Sequence, residues 1–503
     1  MKHYRFLQFT LVAIILMALM GSTQTVGSIA KAQPELLQLA YSKPDQTVSV
    51  IVQKNSKTNS PEAQVEKLGG KVAGDLSIIN SFYAEMTAEA ATELSRTESV
   101  RWVSLDAKVT SSGCTQCIDT KNLANSYIGT IRADKVWNNS SSLQGQSIGV
   151  AVVDSGVNPN GDLYTNMGVN RQIANVRFNT DYNQNTSDGY GHGTIVSSIV
   201  GGDGSDSSGK CIGVAPMANI INVKVSNDDG SARASDVIQG LQWVLNNKDV
   251  YNIRVVNLSF NSSVAESYNT SALDAAVEVL WFNKIVVVVS AGNQPNAILY
   301  PPANDPFVIT VGATDDKGTT SLNDDVITSF SAYGTTSDGV VKPDLVAPGK
   351  NIIARLVNTN MGVGQTHPAN IVSNNYFKVS GTSASAPMVS GAVAILLQAE
   401  PGLNPDQVKY RLMSTANKTW NGYNATKAGA GYLDIYAAIN TKTTNTANTG
   451  TLPSQLLTTG SQPITWGSIG WNSIGWNSIG WNSIGWNSIG WNSIGWNSDY
   501  WGQ

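Results

Sequence analysis

Histidine and cysteine are both scarce, with three of each in 503 residues. Few imidazoles means few groups that can carry a proton near neutral pH. Chemistry built on histidine must therefore use His192 or His367, because His3 lies in a leader expected to be removed. Charge is thin as well: Lys, Arg, Asp and Glu make up 14% of the chain, and the net charge is −4. No basic stripe appears, which argues against an electrostatic footprint for nucleic acid. Beyond residue 32 no run is long and apolar enough to suggest a bilayer span. The stretch 285–291 (Ile-Val-Val-Val-Val-Ser-Ala) reads as a buried strand. Asn, Ser, Thr and Gly are abundant in place of charge, which suits the surface of an exported protein.

The first 32 residues fit export. Lys2, His3 and Arg5 form a positive start, residues 11–20 are almost wholly apolar, and Ala30-Lys31-Ala32 gives an A-x-A cleavage pattern. The apolar core is short for a membrane helix. Residues 1–32 are therefore predicted to be a signal peptide, and the mature chain a secreted, extracellular protein with no transmembrane anchor. In that oxidising compartment a structural disulfide using two of Cys114, Cys117 and Cys211 is expected. Cys114-x-x-Cys117 has no second metal half-site, and Cys211 reads alternatively as a small buried apolar residue.

Residues 33–115 come next, with a compact β/α part at 47–109. Val48, Val50 and Val52 alternate as in a half-buried strand. Ser60 and Pro61 open a helix carrying Val65 and Leu68, which Gly69-Gly70 ends. A strand-rich stretch at 76–86, a helix at 88–94 and a strand at 100–105 follow. Residues 116–440 alternate strands (147–153, 220–225, 255–260, 285–290, 308–314) with helices (232–246, 271–281, 383–398, 405–415). The expected fold is α/β, a doubly wound, mostly parallel sheet covered on both faces, preceded by the small α+β domain. Residues 441–465, rich in Thr and Asn, read as a linker. A Gly-Trp-Asn-Ser-Ile repeat fills 466–503 and holds eight of the 13 Trp. Its period of five matches neither helix nor strand. Rows of exposed Trp suit a cell-wall, carbohydrate or protein ligand; a low-complexity tail is the plainer reading.

Three motifs carry chemistry, each occurring once and in this order: Asp154-Ser155-Gly156, Gly191-His192-Gly193-Thr194 and Gly381-Thr382-Ser383-Ala384-Ser385-Ala386-Pro387. Asp154 follows an apolar strand, and functional groups gather at the carboxyl ends of strands in open parallel sheets; alone, it reads equally as a turn Asp. His192 opens a helix with Ile195, Val196, Ile199 and Val200 facing inward, and its flanking glycines allow close approach. His367 lies in a polar stretch and reads as a surface residue. Ser383 starts a helix in which Pro387 is tolerated in the first turn. There, unpaired N–H groups and the positive dipole end can stabilise an oxyanion; an N-capping serine is the structural alternative.

Taken together, these strings resemble the subtilisin-like serine proteases (subtilases), whose triad runs Asp, His, Ser along the chain. The resemblance covers 33–115 and 127–440 and implies an Asp154, His192, Ser383 triad acting through an acyl-enzyme. It implies Asn293, with the Ser383 backbone N–H, as the oxyanion hole. Residues 33–115 resemble an inhibitory propeptide, an intramolecular partner cut off between Val109 and Ser126 by self-processing. Protein and peptide substrates would lie as an added strand against Gly230-Ser231-Ala232 and Leu258-Ser259-Phe260-Asn261. There Phe260 and Asn261 depart from the common Leu and Gly, which implies a narrower cleft. Leu299 would sit at the base of the primary specificity pocket and favour small or medium apolar residues. Catalysis needs no cofactor; the family allows structural calcium, for which the loop 201–206 offers oxygen donors without EF-hand spacing. Two other readings compete: a dedicated processing protease with one protein target, and a surface-binding protein whose protease domain is idle.

Overall fold

A computed structural model describes residues 30–106, 118–138, 142–165, 168–179, 185–295, 299–373, 375–459 and 462–463. The expected signal peptide up to residue 29, Cys114, Cys117, residues 109–117 of the expected cleavage region and the Trp repeat lie outside the described residues. The chain divides into two compact units, Met1–Gly113 and Cys114–Gln503.

The first unit is a four-stranded antiparallel sheet: β1 (Thr47–Lys54), β2 (Lys71–Leu76), β3 (Ser81–Thr87) and β4 (Val100–Leu105), in the order β2-β3-β1-β4. With helices Ser60–Lys67 and Ala88–Ser95 this is the βαββαβ arrangement of ferredoxin-like units. The Val48, Val50, Val52 alternation points into its core, against Phe82, Ala84, Val65 and Leu94. The compact part reaches further back than residue 47. A helix, Pro34–Ser42, buries Leu36, and Ala32 is buried and bridged to Val103. Lys31 and Ala32 of the expected cleavage site thus lie in packed backbone.

The second unit is built on one large sheet of β5 (Gly149–Asp154), β6 (Gln172–Arg177), β7 (Asn219–Lys224), β8 (Ile253–Leu258), β9 (Val286–Ser290), β10 (Ile309–Asp315) and β11 (Val326–Ile327). The order is β11-β10-β9-β8-β5-β7-β6, and strand Leu345–Pro348 also pairs with β10. Every pair is parallel except β10–β11. The fold is thus α/β with a mostly parallel sheet. Val150–Val153 and Val286–Val289 are wholly buried, because helices cover both faces and every side chain faces a packed layer. Helix Ala234–Asn247 shows the complementary pattern, burying Val237, Ile238, Leu241, Val244 and Leu245 on one stripe. The strand β6 and the antiparallel pair Ile352–Arg355 with Tyr376–Val379 escape a reading by apolar runs. Half of β6 is polar because it is a sheet edge.

Helix Thr382–Ala399 passes through the middle of the unit, buried from Thr382 to Leu397. At 18 residues it is long and apolar enough to cross a membrane, contrary to the expectation that no later segment is. Burial on all sides explains that composition: it is a core helix.

The stretch 441–465, expected as a linker, is instead packed to Leu457. Ala447 N–H donates to Asp406 O, Asn448 bonds Asp406 and Phe307, and Leu457 is buried in the main core. Its polar composition misleads because backbone and amide groups, rather than apolar side chains, hold it down. Ser454 N–H donates to Glu278 Oε2 at 2.8 Å. Helix Ala272–Phe282 sets Asp274 and Glu278 one turn apart, where they meet Asp305, all three fully buried. As carboxylates, both oxygens of Asp274, Oε1 of Glu278 and Oδ2 of Asp305 have no hydrogen-bond partner. Burial, and then the charge of Asp305, push Glu278 well above the usual carboxylate range, so it keeps its proton and donates to Asp305. The unfolded chain releases that proton above about pH 4.3, so the folded state loses stability as pH rises beyond that value. Glu278→Gln keeps both hydrogen bonds without the ionisation. It is expected to raise stability by at least about 1 kcal/mol at pH 8 and to flatten the pH dependence. Urea unfolding at pH 6 and pH 9 in a Ser383→Ala background checks this; a less stable variant with an unchanged slope would refute it.

Candidate active site

β5, β8 and β9 are parallel neighbours, with Val153 paired to Leu258 and Leu258 to Val289. Their carboxyl ends therefore stand side by side. Asp154 ends β5, Ser259 follows β8, and Ser290-Ala291-Gly292-Asn293 leaves β9. His192 begins helix His192–Gly201, which packs against both β5 and helix Thr382–Ala399.

His192 Nδ1 lies 2.9 Å from Asp154 Oδ1 and 3.1 Å from Oδ2, with both side chains buried. Burial pushes the Asp154 carboxyl up; the imidazole and the Ser155 N–H, 2.7 Å from Oδ1, pull it back. Glycine at 193 is needed for this fit. A Cβ there would sit 2.1 Å from Gly156 O and 3.0 Å from Asp154 Oδ1. Gly191 takes the left-handed conformation, φ 98°, that turns the chain into the helix.

Asn293 meets the start of the Ser383 helix through Thr382. Its Oδ1 accepts from Thr382 N at 2.8 Å and from Thr382 Oγ1 at 3.0 Å, and Gly292 N donates to the same hydroxyl. The carboxamide oxygen thus caps an otherwise unpaired helix N–H, and its NH₂ end is turned away from Thr382. Pro387 is the sixth residue of this helix, beyond its first turn. Lacking an N–H, it leaves the carbonyl four residues earlier, that of Ser383, without its helical donor. Ser259 Oγ supplies the missing bond at 3.0 Å and itself accepts from Asn257 Nδ2. The end of β8 thus holds the Ser383 backbone in place.

The substrate-binding expectations divide. Gly230, Ser231 and Ala232 form a turn after β7: Gly230 has φ 85°, and Ala232 bridges antiparallel to Ser226. Leu258 ends β8 and Ser259 follows it, on the other side of β5 from β7. The Phe260 side chain is 1% exposed and belongs to the main core, which leaves its main chain as the part to meet a substrate strand. Asn261 was expected to narrow the cleft. Its Nδ2 bonds Ser290 O at 3.0 Å, so its amide ties the end of β8 to the end of β9. Leu299 is buried with Ala291 and Ala332 in a small apolar cluster apart from the main core. His367 is half-buried, with Nδ1 2.9 Å from Thr366 Oγ1.

The carboxylates of the loop 201–206 have partners within the protein. Asp206 Oδ2 pairs with Arg355 at 2.7 Å and accepts from Gly161 N, and Asp203 Oδ1 accepts from Ser205 N. Among the described residues no group of three His, Cys, Asp or Glu is arranged to hold a metal ion. Cys211 is buried, and burial raises its thiol to about 11.

Sequence reasoning missed Asp188. It accepts hydrogen bonds from Ser155 Oγ, Gly191 N, Thr194 N and Thr194 Oγ1. Its position four residues before His192 was the available signal.

A buried imidazole–carboxylate pair, and a serine opening a core helix on the same side of a parallel sheet, together describe a serine hydrolase of the α/β class. Comparison with known proteins narrows the class. The subtilase family profile matches residues 145–433, and the chain belongs to that family of serine endopeptidases. Serine protease AprX of Bacillus subtilis is 35% identical over 366 residues, 71% of this chain and 78% of that protein. Subtilisin DY of Bacillus licheniformis is 30% identical over 316 residues, 62% of this chain and 97% of the relative. Fervidolysin of Fervidobacterium pennivorans, a keratinolytic enzyme, matches with a TM-score of 0.49 at 23% identity, over 79% of this chain and 61% of the other.

Proposed function

We propose that this subtilase is a secreted endopeptidase, made as a proenzyme, that cleaves peptide bonds through Asp154, His192 and Ser383. The observation that carries this reading is the buried contact of His192 Nδ1 with the Asp154 carboxylate at 2.9 Å. It fixes the imidazole so that Nε2 is the basic atom. Ser383 Oγ attacks the peptide carbonyl and gives its proton to His192 Nε2. The tetrahedral oxyanion is received by the Ser383 N–H and the Asn293 NH₂, whose oxygen Thr382 already holds. His192 then protonates the leaving amine, and water repeats the sequence on the acyl-enzyme. The turn at 230–232 and the segment at 258–260 flank the Asp154 strand, which suits an extended peptide held by main-chain bonds. Residues 33–115 act as the propeptide, and the Trp repeat as a surface-binding tail.

Covalent labelling tests this function. A fluorophosphonate is expected to label Ser383 in the wild-type chain and to leave Ser383→Ala and His192→Ala unlabelled. An unlabelled, folded wild-type chain that cleaves no peptide would leave only the binding role.

A further inference from the structure

Resting on that hydrolytic reading, we propose that Asp188 is a positioning residue: it keeps the Asp154 carboxylate available to His192 by drawing the Ser155 hydroxyl away. Asp188 is 5% exposed and uses both oxygens. Oδ1 accepts from Ser155 Oγ at 2.8 Å and Gly191 N at 2.7 Å; Oδ2 accepts from Thr194 N at 2.8 Å and Thr194 Oγ1 at 2.6 Å. Every donor belongs to a residue adjoining Asp154 or lying within two residues of His192.

Ser155 is the link. Its hydroxyl lies 3.2 Å from Asp154 Oδ1 and accepts from Gly193 N at 2.9 Å. A hydroxyl has one hydrogen to give, and the shorter bond to Asp188 takes it. Asp154 Oδ1 is then shared only by the Ser155 N–H and the imidazole. Without the Asp188 carboxylate the Ser155 hydroxyl turns to Asp154 and competes with His192 for the same oxygen. Asp188 also binds the N–H groups at the start of the His192 helix, placing a negative charge where helix geometry favours one. That charge favours the imidazolium formed during catalysis. The charged groups around this loop are Asp154, His192 and the Lys224–Asp228 pair; Lys224 bonds Ser187 O, and Asp228 accepts from Gly189 N. The Tyr190 ring lies 6.5 Å from that of His192.

The experiment measures kcat and KM against pH, per fluorophosphonate-titrated site, for wild type, Asp188→Asn, Ser155→Ala and the double variant. In Asp188→Asn kcat is expected to fall by on the order of 10–100-fold, with KM within about twofold. The acidic limb of kcat/KM moves to lower pH by about half a unit, because a charge favouring the imidazolium is gone. Ser155→Ala removes the competing hydroxyl but keeps the charge, so the limb stays, and adding Asp188→Asn to Ser155→Ala lowers kcat by less than Asp188→Asn does in the wild-type chain. A merely structural role would lower thermal stability and the fraction of titratable sites, leaving kcat per site and the limb unmoved; that result overturns the proposal. Should Asp188→Asn fail to fold, Asp188→Ser is measured with and without Ser155→Ala: a kcat per site no higher in the double variant overturns the proposal, and recovery of kcat there supports it. A wild-type chain that neither labels nor hydrolyses peptide defeats the proposed function instead.

Discussion

Asp154→Asn is expected to lower kcat by roughly 10⁴-fold with little change in KM, the scale on which removal of this charge acts in Ser-His-Asp sites. The geometry gives the reason. Oδ1 of Asp154 accepts from the Ser155 N–H, so an asparagine would place its carbonyl oxygen there. Its NH₂ would then occupy the Oδ2 position, 3.1 Å from His192 Nδ1. A donor facing Nδ1 forces the imidazole proton onto Nε2, and the ring can no longer accept the Ser383 proton. The negative charge that stabilises the imidazolium is lost as well. Steady-state kinetics on a chromogenic peptide, with the fold checked by circular dichroism, measures this. A loss under tenfold would mean that something other than Asp154 sets the tautomer of His192.

Asn293→Ala is the second large effect, with turnover falling by roughly 10²–10³ and substrate affinity nearly intact, the range such oxyanion donors command. This residue has a second task that separates the two contributions. Its oxygen caps Thr382 N and accepts from Thr382 Oγ1, so the alanine variant also loses a helix cap, at about 1 kcal/mol. Asn293→Asp keeps the cap but sets a negative charge where the oxyanion forms. It is expected to retain stability and lose at least as much turnover. If the aspartate variant keeps wild-type turnover, the donor to the oxyanion lies elsewhere.

Much of this architecture was legible in the residues. Continuous apolar runs at Val150–Val153 and Val286–Val289 mark strands buried on both faces, and helix 405–415 matches its expected bounds because Asn404 and Gln407 form a capping box. The first unit's strand alternation was equally plain. What escaped was held by polar groups. The Thr- and Asn-rich stretch after residue 440 looks like a linker, yet amide and backbone hydrogen bonds bind it to the body. The helix Pro34–Ser42 was missed because it buries only Leu36. At the site, the motif position of Phe260 did not show that its ring turns into the core.

The chain alone determined the order of acid, imidazole and hydroxyl, the alternation that makes a parallel sheet, and the glycines beside His192. Those are properties of local sequence: period, propensity and the steric freedom of single residues. Only the tertiary structure decided that Asp188 reaches Ser155, that Ser259 completes the bond Pro387 cannot make, and that Asn293 caps the Ser383 helix. Each joins groups that lie far apart along the chain or in different loops. Hydrogen-bond partners at such separations are chosen by how strands and helices stack, which no local pattern encodes.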